Sequence, residues 1–161
     1  LRLESRATMG FTVSLSEACQ NIVEHAGRGG WVAVQSYNWA KRRVGRQVVV
    51  ISVADAGQGF RQSLGNTRVR AIAGERWSDG EALEAAVTNG YSRHTEPGRG
   101  QGIRGIKGYV HRHDGRLSIR SGTSRVTIVP PWDDSPARED HLPAFAGAQL
   151  QIIIPERVEA Q

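Results

Sequence analysis

A chain of 161 residues, 39% apolar and 23% charged, has the size and composition of one globular domain and is too short for two independent cores. No stretch approaches the roughly 18 apolar residues of a membrane-spanning helix, and the start LRLESRATMG lacks the apolar centre of a secretory signal. The expectation is a cytoplasmic protein in which the single Cys19 stays a thiol. The formal charge of +5 is dispersed over 21 Lys and Arg, which disfavours nucleic acid as the partner.

Taken in chain order, SLSEACQNIVEHAG comes first. Leu15, Ala18, Cys19, Ile22, Val23 and Ala26 repeat at helical spacing, with Ser14 or Ser16 as the cap and Gly27, Gly29 and Gly30 as the stop. WVAVQSYNWA and QVVVISVAD follow as two strands around the basic turn KRRVGR, the second so continuously apolar that it belongs in the middle of a covered sheet. Residues 55–100 read as the irregular part: a glycine turn, a polar stretch, a short helix within SDGEALEAAVTNGYS, then the loop RHTEPGRGQG. IRGIKGYVHRH places Ile103, Ile106 and Val110 on one helical face from Gly102 to about His113. RLSIRS, RVTIVP and AQLQIIIP give three more strands, and PWDDSPAREDHLPAFAG between the last two reads as a surface excursion.

Three segments carry chemistry. Glu17, Asn21 and His25 are spaced i, i+4, i+8 and form a polar row beside the apolar stripe of the first helix. Such a row is ordinarily the wet edge of an amphipathic helix, but a carboxylate and an amide one turn apart also offer oxygens to a hard cation such as Mg2+. Asp55 ends the central strand and is followed by Gly57 and Gly59, where a carboxylate can accept from an amino group and the glycines admit a flat ligand. Gly98, Gly100 and Gly102 run into a helix whose free N–H groups suit phosphate, with Arg99, Arg104 or Lys107 as the cationic partner. The pattern is neither a P-loop nor a dinucleotide fingerprint.

The order of these segments resembles the GHKL ATPase superfamily, the histidine kinase-like ATPases. Glu17-Ala-Cys-Gln-Asn21, Asp55-Ala-Gly57-Gln-Gly59, Gly98-Arg-Gly100-Gln-Gly102 and Gly147-Ala-Gln-Leu-Gln-Ile-Ile-Ile-Pro155 match its motifs over about residues 12–155. The resemblance implies an α/β (α+β) two-layer sandwich, with a mixed, mainly antiparallel sheet of about five strands and helices on one face. It implies a single domain over 1–161, with a core of about 12–155 and a lid of about 60–102. It also implies ATP and Mg2+ as ligands. Glu17 is then the general base and Asn21 the metal contact; Asp55 accepts from the adenine amino group, with Gly57 and Gly59 beside the base. Arg99, Gly100, Gly102 and Lys107 face the phosphates. Gln101 stands where an aliphatic residue is common in the family, and Arg104 and Gly105 follow where packing residues are usual.

The first motif is similar in form to that of the anti-sigma-factor serine kinases. A phosphotransfer module of the serine or histidine protein kinase type, with a regulatory or phosphoacceptor protein as partner, is therefore the first functional expectation. A nonenzymatic ATP-controlled binding switch, the trimmed catalytic domain of a sensor histidine kinase, and a homodimer stay open. Only 13 residues precede Ser14, so the phosphoacceptor hairpin of a histidine kinase is not expected within the chain.

Overall fold

The structure is a computed structural model. It describes residues 5–25, 29–39, 47–91 and 102–156, and their side chains except those of 5–7, 14, 18 and 21–25. A long helix, α1 (Ser5–His25), leads into the hairpin β1 (Gly30–Asn38) and β2 (Gln47–Asp55). Three helices follow, α2 (Gly59–Ser63), α3 (Arg68–Ala73) and α4 (Asp79–Val87), with a 3-10 turn at Gly74–Arg76. Next come α5 (Gly102–Arg112), β3 (Arg116–Gly122), β4 (Ser124–Ile128), β5 (Arg138–Glu139) and β6 (Phe145–Pro155). The strands form one sheet in the order β1-β2-β6-β3-β4-β5, every pair antiparallel.

The expected mixed, mainly antiparallel sheet of about five strands is present, and among the described residues it has six strands, each pair antiparallel. The added strand is β5, inside the segment read as a surface excursion. Two residues are too few to show alternation, yet Val126 and Arg125 of β4 pair with Arg138 and Glu139. The first helix begins at Ser5, so Ser14 and Ser16 lie inside it and not at its cap. Phe11 explains the extension: it is buried and stacks on Tyr109 of α5 with ring centroids 4.3 Å apart, so the turns before Ser14 also have a packed face.

The core lies between the helices and one face of the sheet. Pairing puts Val53, Leu150 and Ile119 in one row and Ile51, Ile152 and Leu117 in the next, and all six are buried with Leu83, Val87, Ile106 and Val110 from α4 and α5. That alternation is why the VVVIS and QIIIP runs become the inner strands. Leu15 and Cys19 of α1 pack against the same cluster, and burial raises the Cys19 thiol above its ordinary range. Leu64, Trp77, Ala82 and Ala86 form a second, smaller cluster that holds α2, α3 and α4 together. The stretch from 60 to 87 is therefore largely helical and packed, where the sequence showed only one short helix: α2 and α3 are too brief for periodicity to register.

Helix α4 is fixed at its start. Ser78 caps it by accepting the Glu81 N–H at 3.2 Å, and Asp79 Oδ2 accepts from both N–H and hydroxyl of Thr123 at 2.9 Å, which pins the helix to the turn between β3 and β4. Arg138 of β5 clasps its outer side, donating to Glu84 at 2.6 Å, Glu81 at 3.2 Å and Asp140 at 2.8 Å. At the opposite edge of the sheet, β1 pairs only with β2 among the described residues. Val32 and Val34 share the face of Val53 and Ile51 yet are 54% and 65% exposed, because α1 touches β1 only in part and the other described helices pack over β6, β3 and β4.

Candidate nucleotide site

The inner strand β2 ends at Asp55, half-buried at the rim of the helix-covered sheet. Its Oδ1 accepts the Gly57 N–H at 2.8 Å, closing a turn over its own backbone. A short carboxylate bonding two residues ahead is what favours Asp at such a corner. The bond also restricts the carboxylate's rotation.

The turn is held from two neighbouring strands. Gly59 has φ +70°, and a Cβ there would lie 2.6 Å from Ser121 Oγ of β3 and 3.1 Å from the Gly147 carbonyl oxygen of β6. Gly147 has φ +80°, and its Cβ would run into the Asp55 carbonyl and lie 2.5 Å from Asp55 Oδ1. Both positions need the left-handed backbone and the missing side chain together. Ser121 joins the two, donating from Oγ to the Gly147 carbonyl at 2.6 Å and accepting the Phe60 N–H at 3.1 Å. Asp55, Gly57, Gly59, Ser121 and Gly147 thus converge on one corner.

The remaining candidates lie on α1 and α5. Glu17 is half-buried on α1; Asn21 and His25 belong to the last turns of that helix, with side chains outside the described residues. Gly102 opens α5 and is buried. Gly98, Arg99, Gly100 and Gln101 lie outside the described residues, so their expected contacts gain no geometry here. Arg104 is exposed on α5. Lys107 is engaged within the fold: its Nζ donates to the Val87 carbonyl at 3.3 Å and the Thr88 carbonyl at 3.5 Å, the end of α4, where a cation suits the helix dipole. Helix α1 packs along α5 and also reaches β2, so it joins the element that ends in Asp55 to the element that begins at Gly102.

Sequence reasoning missed Ser121. A serine in a strand gives no signal of its own, and only the pairing of β3 with β6 brings it to Gly147. Among the described residues no three His, Cys, Asp or Glu converge as a metal cage. No described helix is long and apolar enough to cross a membrane.

A helix-backed antiparallel sheet with a carboxylate-and-glycine corner at the end of an inner strand, and a glycine-started helix nearby, defines a nucleotide-binding domain of the two-layer type. Residues 9–134 match the family model of the histidine kinase-, DNA gyrase B- and HSP90-like ATPases, and the chain belongs to that family. The match takes in most of α1, the Asp55 turn, α5 and β4, while β6 with Gly147 follows it. No curated protein matches the chain. The domain is thus an ATP-binding domain of the GHKL type.

Proposed function

We propose that the domain binds ATP with Mg2+ and serves a signalling protein as a phosphotransfer module of the serine or histidine protein kinase type. The single observation that carries the ATP site is the Asp55 corner. Its carboxylate is aimed by the Gly57 N–H, and Gly59 and Gly147 let the neighbouring backbone close tightly around it. An adenine amino group donates to such a carboxylate, whereas guanine presents a carbonyl oxygen at the same position and is repelled.

In this reading Gly57 and Gly59 border the base, and Gly100 and Gly102 offer N–H groups to the phosphates together with Arg99. Asn21 fits a hard cation as one oxygen ligand, the phosphates supplying others; the ion, when bound, offsets phosphate charge. Glu17, one helical turn before Asn21, is the base that takes the proton from an attacking hydroxyl, imidazole or water. Lys107 stays in the nucleotide site as a second-rank cation: in the geometry described it supports the α4 end, and contact with phosphate would require it to leave the Val87 and Thr88 carbonyls. The partner is a regulatory or phosphoacceptor protein. An ATP-controlled binding switch without turnover uses the same corner and differs only at Glu17.

Calorimetric titration of the wild type and Asp55→Asn with ATP and Mg2+, with GTP as the control ligand, tests the site. The expected result is saturable, ATP-selective binding that weakens by about 10- to 100-fold in the variant, the worth of one hydrogen bond to a charged group. Equal affinity in both proteins would remove Asp55 from the base site.

A further inference from the structure

Ser121 is 97% buried from solvent by its surroundings, at 3% exposure, and nothing in its own strand requires a hydroxyl. Leu117 and Ile119 on β3 face the helices, whereas Ser121 meets the Asp55 corner at the strand's end. Its one proton goes to the Gly147 carbonyl at 2.6 Å and its lone pair receives the Phe60 N–H at 3.1 Å. Gly147 is packed against the Asp55 carbonyl and carboxylate, and Phe60 lies in the first turn of α2, just after the Asp55 turn. Gly59 lies between them, with room for a hydrogen and no more against Ser121 Oγ. One hydroxyl therefore sets the distance between the strand wall and the turn, and with it the direction of the carboxylate.

We propose that Ser121 is a positioning residue for purine recognition: it holds Asp55 in the orientation that accepts an exocyclic amino group, without itself touching the nucleotide. The inference rests on the ATP reading above. Removing the hydroxyl leaves the Phe60 N–H and the Gly147 carbonyl without their partner in a buried place, and such groups shift until they find another, usually water. The turn then moves relative to β6, and the Asp55 carboxylate moves with it. In the ATP reading the phosphates are met from α1 and the start of α5, so those contacts are spared.

Discrimination between bases separates positioning from a merely structural role. Wild type, Ser121→Ala and Ser121→Cys are titrated with ATP and with inosine triphosphate, which has the same sugar and phosphates but a carbonyl in place of the amino group. The measurements are made below the melting temperature, with circular dichroism confirming the fold of each protein. The wild type is expected to prefer ATP by about 10-fold or more. In Ser121→Ala that preference is expected to fall by about 5- to 10-fold, through weaker ATP binding at nearly constant inosine triphosphate affinity. Ser121→Cys, with a similar size and a weaker donor, should fall between. A folded variant with the wild-type preference overturns the assignment, as does an equal loss for both nucleotides. Loss of fold in both variants would make Ser121 a folding residue and overturn it as well. A wild type that prefers ATP keeps the ATP reading alive through each of these failures; one that binds neither nucleotide ends both.

Discussion

The two sides of the candidate site are secured in different ways. At the Asp55 corner the chain is held by backbone closeness: Gly59 and Gly147 sit where a Cβ would collide, and a buried hydroxyl bridges β3, β6 and the start of α2. At the α4–α5 side a flexible side chain makes the connection, Lys107 reaching the Val87 and Thr88 carbonyls at 3.3 and 3.5 Å. A corner without slack can discriminate one purine edge from another, since a small displacement there costs a hydrogen bond. A lysine tether tolerates displacement, because its four-carbon stem has many rotamers and its ammonium many acceptors.

The largest effect is expected from Gly147→Ala. The left-handed backbone and the collision with Asp55 together should lower stability by about 2–4 kcal/mol, read from denaturant unfolding. A variant as stable as the wild type would mean that the corner has slack after all. A smaller effect should follow Lys107→Met, which keeps the stem and removes the donor. A loss of about 0.5–1 kcal/mol in stability is expected, with ATP and adenosine affinities shifting alike. A loss confined to ATP would instead put the ammonium on the phosphates and sharpen the contrast between the two sides.

The smallest effect belongs to the clasp on the outer side of α4. The Ser124 hydroxyl, donating at 2.6 Å, and then Arg138 hold the Asp140 carboxyl below its ordinary value of 3.8. A carboxyl depressed in the folded state stabilises the protein above its unfolded value, and that contribution fades as pH falls through the folded one. Stability should therefore drop on acidification below about pH 5, and slightly less steeply in Asp140→Asn. The difference should stay well under about 1 kcal/mol because the side chain is 35% exposed and screened. Thermal melts at pH 7 and pH 3 measure it; identical slopes would remove Asp140 from the acid response.

The parts of the fold that sequence made legible are those with long periodic runs. QVVVISVAD and AQLQIIIP announce buried strands, and IRGIKGYVH shows its apolar face despite two glycines. What stayed illegible was short or local. Serines 14 and 16 look like a cap but lie within α1, since Phe11 extends the packed face toward Ser5. The helices between Gly59 and Ala73 and the two-residue β5 are held by tertiary contacts, Trp77 and Leu64 in one case and pairing with β4 in the other. Within the site, Asp55 and its glycines form a continuous motif. Ser121 becomes meaningful only through β3–β6 pairing, and the hydrogen bonds of Lys107 to the α4 end depend on tertiary packing that its place in the glycine-rich run does not announce.

The position of β6 has a consequence for how the domain comes into being. It follows every other described strand in sequence, yet it is inserted between β2 and β3, pairing Val48 with the distant Pro155. Closing so long a loop before the pairing can reward it slows folding, into the millisecond-to-second range typical of sheets dominated by distant contacts. Until β6 docks, the hairpin and the β3–β4 pair have no strand in common, and Asp55 has no Gly147 to pack against. A nascent or truncated chain that stops before Phe145 thus owns every residue of the Asp55 turn and still lacks the wall that shapes it.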